Sequence, residues 1–212
     1  MRRNVNVKIL LFNNKIYGLT KGQYSPTSEI GKITKSTPVG SADSPFNPIS
    51  LALGAEATFV ARTLDTDRKH LQSVLRSAAT HEGSAFVEIY QNCNIFNDNA
   101  FDTLKEPATR DDYTIRLEHG QPLTFGAENQ WSVINPPGGF GLRVVPTDSV
   151  DPGEMPGEDL RNTPIGVFRK VARNSYDTIV REQLDTAKSK LAGDPEQELA
   201  ALLGAGDTWT IL

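Results

Sequence analysis

Asn13-Asn14 and the run Tyr17-Gly18-Leu19-Thr20-Lys21-Gly22-Gln23 supply the residue types that a phosphate ester and a hard cation need. Mg²⁺ takes octahedral oxygen ligands at about 2.0–2.1 Å, mostly from phosphates and water with one or two protein groups. An Asn amide oxygen of this pair and a backbone carbonyl two residues later could face one ion. Gly18 and Gly22 would let backbone N–H groups approach phosphate oxygens. The same spacing also suits a plain polar turn after a strand, and the Gly-x-x-x-x-Gly-Lys-[Ser/Thr] order of a P-loop is absent. Cys93 is the single cysteine, which excludes an internal disulfide and any metal site built from several thiolates of this chain. Placed just past a strand, it reads alone as a small buried hydrophobe. Lys21 is either solvated or a compact cation able to meet a carboxylate. His70, His81 and His119 show no metal-ligand spacing. His70 reads on the polar flank of a helix and His81 in its last turn, where positive charge is favoured. Glu82 and Glu88 read as structural or solvated.

These residues need a frame. Val5, Val7, Ile9 and Leu11 alternate with Asn6, Lys8, Leu10 and Phe12. The pattern predicts a strand that becomes apolar on both sides, as in the middle of a covered sheet. An interior strand this close to Met1 implies elements upstream. Residues 18 to 48 form a polar stretch punctuated by Gly and Pro. Loops beyond ~12–15 residues are usually functional or disordered, and this one lies at a strand's carboxyl end, where open α/β sheets bind ligands. Asn47-Pro48 opens a short helix through Leu53 to Glu56, and residues 58–62 read as a second strand. Asp65 or Thr66 can cap a helix carrying Leu71, Val74, Leu75 and Ala78, stopped by Gly83. Residues 85–90 form a third strand, so the connections are right-handed parallel crossovers.

Past about residue 105 the character changes. Residues 113 to 145, around Gly120, Gly126 and Pro136-Pro137-Gly138-Gly139, read as antiparallel strands and turns, and 146 to 164 as a surface loop. Tyr176, Ile179, Val180, Gln183, Leu184, Ala187 and Leu191 mark a helix ended by Gly193, with a stripe suited to core packing or subunit docking. Asp194-Pro195 starts a final short helix. The chain has 212 residues, 38% hydrophobic and 23% charged, which is globular material for one or two domains. With 22 Lys+Arg against 26 Asp+Glu the net charge is -4, arguing against a nucleic-acid face or a polybasic membrane patch. The charged start Met1-Arg2-Arg3 is followed only by the short run Ile9-Leu10-Leu11-Phe12, too little for a signal peptide or a spanning helix. A cytoplasmic location with a reduced thiol is therefore expected.

The run from Asn13-Asn14-Lys15-Ile16-Tyr17-Gly18 to Ser25-Pro26-Thr27-Ser28 resembles the thiamine-diphosphate loop in the beta subunit of two-subunit 2-oxoacid:ferredoxin oxidoreductases, above all the 2-oxoglutarate type. The similarity continues through Gly40-Ser41-Ala42-Asp43, Asn47-Pro48-Ile49-Ser50, Phe86-Val87-Glu88-Ile89-Tyr90-Gln91-Asn92-Cys93-Asn94 and Gly206-Asp207-Thr208-Trp209. It implies an α/β fold: an incomplete doubly wound, mostly parallel sheet forming part of a thiamine-diphosphate-binding module over 1–105, then a family-specific C-terminal β/α extension over 106–212. It implies that the Asn14 side chain and the Ile16 carbonyl ligate Mg²⁺. Asn13, Tyr17, Gly18, Leu19, Thr20 and Gln23 would line thiamine diphosphate, with Leu19 an apolar contact to the thiamine. Lys21 would meet the distal carboxylate of 2-oxoglutarate. Cys93 would supply the last thiolate of a [4Fe–4S] cluster, which needs four.

The implied activity is oxidative decarboxylation of 2-oxoglutarate with coenzyme A to succinyl-CoA and CO₂, with electrons passing through the cluster to ferredoxin. The implied partner is an alpha subunit contributing the pyrimidine side of thiamine. Two features depart from the family pattern. Its Gly-Asp-Gly is missing, since Gly193-Asp194 and Gly206-Asp207 lie at the wrong end and lack the following glycine, and so is its N-terminal cysteine group. An N-terminally truncated beta subunit is therefore expected. The alternatives are a catalytically incompetent fragment that only docks to the alpha subunit, and a generic α/β nucleotide-binding module.

Overall fold

The structure, a computed structural model, describes residues 1–118, 121–134, 143–149, 163–190, 193–207 and 209. Its frame is a parallel unit of β1 (Lys8–Asn13), α1 (Pro48–Gly54), β2 (Phe59–Leu64), α2 (Arg68–Thr80) and β3 (Ala85–Tyr90). β3 lies between β1 and β2 and runs parallel to both; Asn13 and Leu64 both stand opposite Tyr90, so the three carboxyl ends finish level. Side chains alternate between the two faces. Ile9, Leu11, Val60 and Phe86 meet Ile49 and Ala52 of α1, whereas Phe59, Ala61, Val87 and Ile89 meet Val74 and Ala78 of α2. The two crossovers thus run in opposite directions over opposite faces, which gives both the same hand. Asn47 caps α1 by accepting from the Ser50 N–H at 3.1 Å, with Pro48 at the first turn, as its sequence predicts.

Among the described residues β3 is the one partner of β1, and Leu10 and Phe12 remain 44% and 56% exposed on the uncovered face. Its double-sided apolar pattern is therefore only half satisfied by these contacts. The cap of α2 is Asp67, not Asp65 or Thr66. One Asp67 oxygen accepts from the His70 N–H at 3.2 Å and the other pairs with Arg116 Nη2 at 3.0 Å, a long-range partner that fixes the choice. His81 follows the helix and is buried, with Nε2 2.8 Å from Thr58 Oγ1. Burial, reinforced by the charges of Lys8 and Lys170, lowers its pKa, so positive charge is not favoured there.

Beyond residue 100 come α3 (Asp102–Lys105), α4 (Pro107–Tyr113), β4 (Thr114–Leu117), β5 (Thr124–Phe125), β6 (Trp131–Ile134), β7 (Arg143–Pro146) and β8 (Thr163–Lys170). β5, β6 and β7 form the antiparallel set that the alternating runs predict. β4 and β8 instead extend the central sheet to the order β1-β3-β2-β8-β4, with β8 antiparallel to β2 and parallel to β4. The close approach of β4 and β8 needs Gly166: at φ +123° a Cβ there would sit 2.7 Å from the Leu117 carbonyl oxygen. α5 (Tyr176–Ser189) is capped by Ser175 and α6 (Pro195–Leu203) by Asp194, and neither buries a residue. His119, Gly120, Pro136-Pro137-Gly138-Gly139, most of the 146–164 stretch, Leu191 and Thr208 lie outside the described residues.

Candidate cofactor loop and cysteine turn

Asn13 ends β1 and the chain then turns sharply. Lys15 takes a left-handed conformation, φ +55°, which costs a non-glycine residue about 1–3 kcal/mol and persists where surroundings over-determine it. Here they do. The Lys15 carbonyl accepts from Ser28 Oγ at 2.6 Å, and its ammonium lies 5.1 Å from the Phe101 ring centroid. The turn folds Asn14 over its successor, so that Asn14 Oδ1 accepts from the Ile16 N–H at 3.2 Å. The Ile16 carbonyl receives no donor among the described residues. An amide oxygen with a remaining lone pair and a carbonyl without a donor among the described residues are oxygen ligands of the kind a hard divalent ion takes. No cluster of three or more His, Cys, Asp or Glu occurs among the described residues. Downstream, Tyr17 and Gln23 close a small antiparallel bridge, Lys21 donates its N–H to Gly18 at 3.0 Å, and Gly22 stands at φ +96°.

Asn13 is held differently from Asn14. Its Nδ2 donates to Glu88 Oε1 at 2.8 Å, and its Oδ1 accepts from Thr27 Oγ1 at 2.7 Å and from the Lys15 N–H at 3.1 Å. Glu88, fully buried, also pairs with Arg62 Nε at 2.8 Å. The Arg62 guanidinium lies over the rings of Tyr90 (5.1 Å) and Phe168 (5.5 Å) and donates to the Pro164 carbonyl at 3.3 Å. Burial pushes the Tyr90 phenol up to about 12. A chain of buried polar contacts thus runs from β8 through β2 and β3 to the end of β1, and every carboxylate or amide in it has a partner. Glu88 is structural, one of the two readings its sequence allowed, whereas Arg62 was not singled out; the two face each other directly across the β2–β3 pair, a signal available only once strand order is known.

Two cavities flank Asn13. A mostly apolar groove of about 390 Å³ runs beside the open edge of β1, lined by Phe12, Asn14, Ile16, Tyr17, Phe46 and Leu51 among others. A second, of about 240 Å³, is lined by Lys15, Thr27, Arg62, Glu88 and Tyr90. The long 18–48 stretch is folded over this end: Gly31 and Ser41 exchange contacts, with Gly31 N–H to Ser41 O at 2.8 Å, and Gly40 packs directly on the Gly31 backbone.

Cys93 sits in a tight 93–97 turn closed by the Asn97 N–H on the Cys93 carbonyl at 2.9 Å. The backbone N–H of Phe96, with those of Ile95 and Asn97, turns toward its sulfur and pulls the thiol below its ordinary pKa against the opposing effect of burial. Half-buried and thiolate-favouring, the site differs from an inert buried cysteine. Of the other candidates, Lys21 (φ +65°), Thr20 and Gln23 are exposed, Leu19 is fully so, and Tyr17 is half-exposed. His70 is tied to Thr63, Nδ1 to Oγ1 2.8 Å, on the far side of β2.

Residues 1–89 match the family model described as thiamine pyrophosphate enzyme, C-terminal TPP binding domain. The whole chain is 49% identical to 2-oxoglutarate oxidoreductase subunit KorB of Mycobacterium tuberculosis and spans 61% of that protein's length. It is 45% identical over 97 residues to the 2-oxoacid:ferredoxin oxidoreductase subunit beta of Saccharolobus solfataricus, covering 46% of this chain and 32% of that one. Among solved structures, it superposes with a TM-score of 0.65 and 25% identity on a 2-oxoglutarate:ferredoxin oxidoreductase from Magnetococcus marinus with 2-oxoglutarate, coenzyme A and succinyl-CoA bound, over 95% of this chain and 59% of that one. The chain spans about three fifths of the length of the Mycobacterium tuberculosis and Magnetococcus marinus proteins. By these likenesses the chain is similar, over its whole length, to beta subunits of the 2-oxoacid:ferredoxin oxidoreductases.

Proposed function

We propose that this chain forms part of the beta subunit of a 2-oxoglutarate:ferredoxin oxidoreductase, which converts 2-oxoglutarate and coenzyme A to succinyl-CoA and CO₂ and passes electrons through a [4Fe–4S] cluster to ferredoxin. The observation that carries the reading is the Asn14–Ile16 turn at the level carboxyl ends of three parallel strands. Asn14 Oδ1 and the Ile16 carbonyl hold Mg²⁺. Tyr17, Gly18, Leu19, Thr20, Gln23 and the Asn13 end of β1 line the cofactor. When bound, thiamine diphosphate supplies the electron sink that lets the 2-oxoacid lose CO₂. Lys21, solvent-facing at the loop tip, meets the distal carboxylate that 2-oxoglutarate has and pyruvate lacks. Cys93 gives one thiolate to the cluster, under backbone N–H groups suited to a bound anionic sulfur; the other three come from outside these 212 residues. An alpha subunit completes the thiamine site. Among the described residues no helix is long and apolar enough to cross a membrane, and we place the enzyme in the cytoplasm, where the thiol stays reduced.

Calorimetric titration of the assembled enzyme with Mg²⁺ and thiamine diphosphate tests this. Asn14→Ala should abolish Mg²⁺-dependent binding while the fold, followed by circular dichroism, persists. Undiminished binding would overturn the assignment. Lys21→Ala should raise KM for 2-oxoglutarate far more than for pyruvate, and unchanged selectivity would remove its role.

A further inference from the structure

Asn97 lies far along the chain from the cofactor loop but grips it. Its side chain is buried, and Nδ2 donates to the Asn14 carbonyl at 2.9 Å and approaches the Lys15 carbonyl at 3.5 Å. These are the two peptide units between the proposed cation ligands. Its Oδ1 accepts from Lys32 Nζ, a lysine also paired with Glu29 at 3.0 Å. Its own backbone N–H closes the cysteine turn on the Cys93 carbonyl. The side-chain amide and the backbone N–H of this one residue are therefore divided between the loop, the turn and the covering 18–48 stretch. Its neighbour Phe96 supplies a second, independent contact. The Phe96 ring packs on the far half of the loop, where a Cβ added at Gly22 would stand 3.1 Å from Cδ1 and one at Gly18 3.8 Å from Cδ2.

We propose that Asn97 is a positioning residue that locks the Asn14–Ile16 turn and the Cys93 turn into one unit, so that occupancy of the cofactor loop is felt at the group held by Cys93. This rests on the proposed function, since it needs a cofactor at one end and a cluster at the other. Two neighbouring turns joined only by solvent would move independently. Joined through a buried amide with every polar atom engaged, displacement of either carries the other, and any free energy so coupled acts reciprocally.

The test is a redox titration of the cluster, followed by electron paramagnetic resonance in the assembled enzyme, with and without Mg²⁺ and thiamine diphosphate. In the wild type the cofactor should shift the cluster's midpoint potential. Asn97→Asp keeps the side-chain volume and the acceptor for Lys32 but turns a carboxylate toward the Asn14 and Lys15 carbonyls in place of a donor. It should erase the cofactor-dependent shift and weaken thiamine-diphosphate binding about five- to tenfold, with the cluster content unchanged. Comparing each variant with and without cofactor cancels the direct effect of the new charge on the potential. If Asn97→Asp fails to assemble, Asn97→Ala gives the same comparison. A shift that survives in the variants, or a wild type that binds the cofactor with no shift, overturns this inference and leaves the proposed function standing. A wild type that binds no thiamine diphosphate removes both.

Discussion

Glu88 is a carboxylate with no exposed surface, and its charge is tolerable only because Arg62 and Asn13 both meet it. Removing one member of such a pair leaves an uncompensated buried charge, at a cost of about 3–5 kcal/mol, whereas replacing both by apolar groups is often nearly neutral. Arg62→Met should therefore lower stability to denaturant by about that amount, and Arg62→Met combined with Glu88→Leu should recover much of it. Equal losses for the single and double variants would show that packing, not the charge, holds Glu88. The histidines set a pH limit. Burial lowers the pKa of both His70 and His81 in the folded protein, so below about pH 6.5 the unfolded chain binds protons that the folded one refuses. Stability is thus fully present above that pH and falls as pH drops through the lowered values. His81→Gln, which keeps a polar tip for Thr58, should flatten the slope of denaturation midpoint against pH between about 6.5 and 5.

At the scale of elements, β1, α1, α2 and β3 were legible because each announces itself locally. Asn47-Pro48 opens α1, Leu71, Val74, Leu75 and Ala78 repeat at helical spacing, and residues 85–90 are an unbroken strand pattern. β8 was not legible. Pro164 and Gly166 break its pattern, and only its neighbours β2 and β4 make it a strand. The Asp67 cap escaped for the same reason, since it is decided by what lies across space. In the candidate site, Asn14, Ile16 and Cys93 were singled out through the family resemblance, while Asn97, Glu88 and Arg62 act through contacts between residues 26 to 102 positions apart. The loop's geometry gives a sharp expectation. Gly22→Ala places a Cβ against Phe96 at φ +96°, where an L side chain is strained, and should cost about 1–2 kcal/mol in thermal melts and weaken thiamine-diphosphate binding in parallel. Wild-type melting and binding in this variant would mean the loop adapts freely.

For the whole molecule, the level carboxyl ends of β1, β2 and β3 matter most. They bring together a loop from residues 13–28, a turn from 93–97 and a buried ion pair, with the covering 18–48 stretch folded across them. The open edge of β1 and the exposed faces of α5 and α6 leave apolar surface at the periphery, while the polar groups around Asn13 are internally satisfied. The position of the divalent ion in the assembled, cofactor-loaded enzyme, determined by electron cryomicroscopy or crystallography, tests this arrangement most directly. The account predicts the ion about 2.0–2.1 Å from both Asn14 Oδ1 and the Ile16 carbonyl oxygen. An ion coordinated elsewhere, with Asn14 Oδ1 still accepting only the Ile16 N–H, would contradict it.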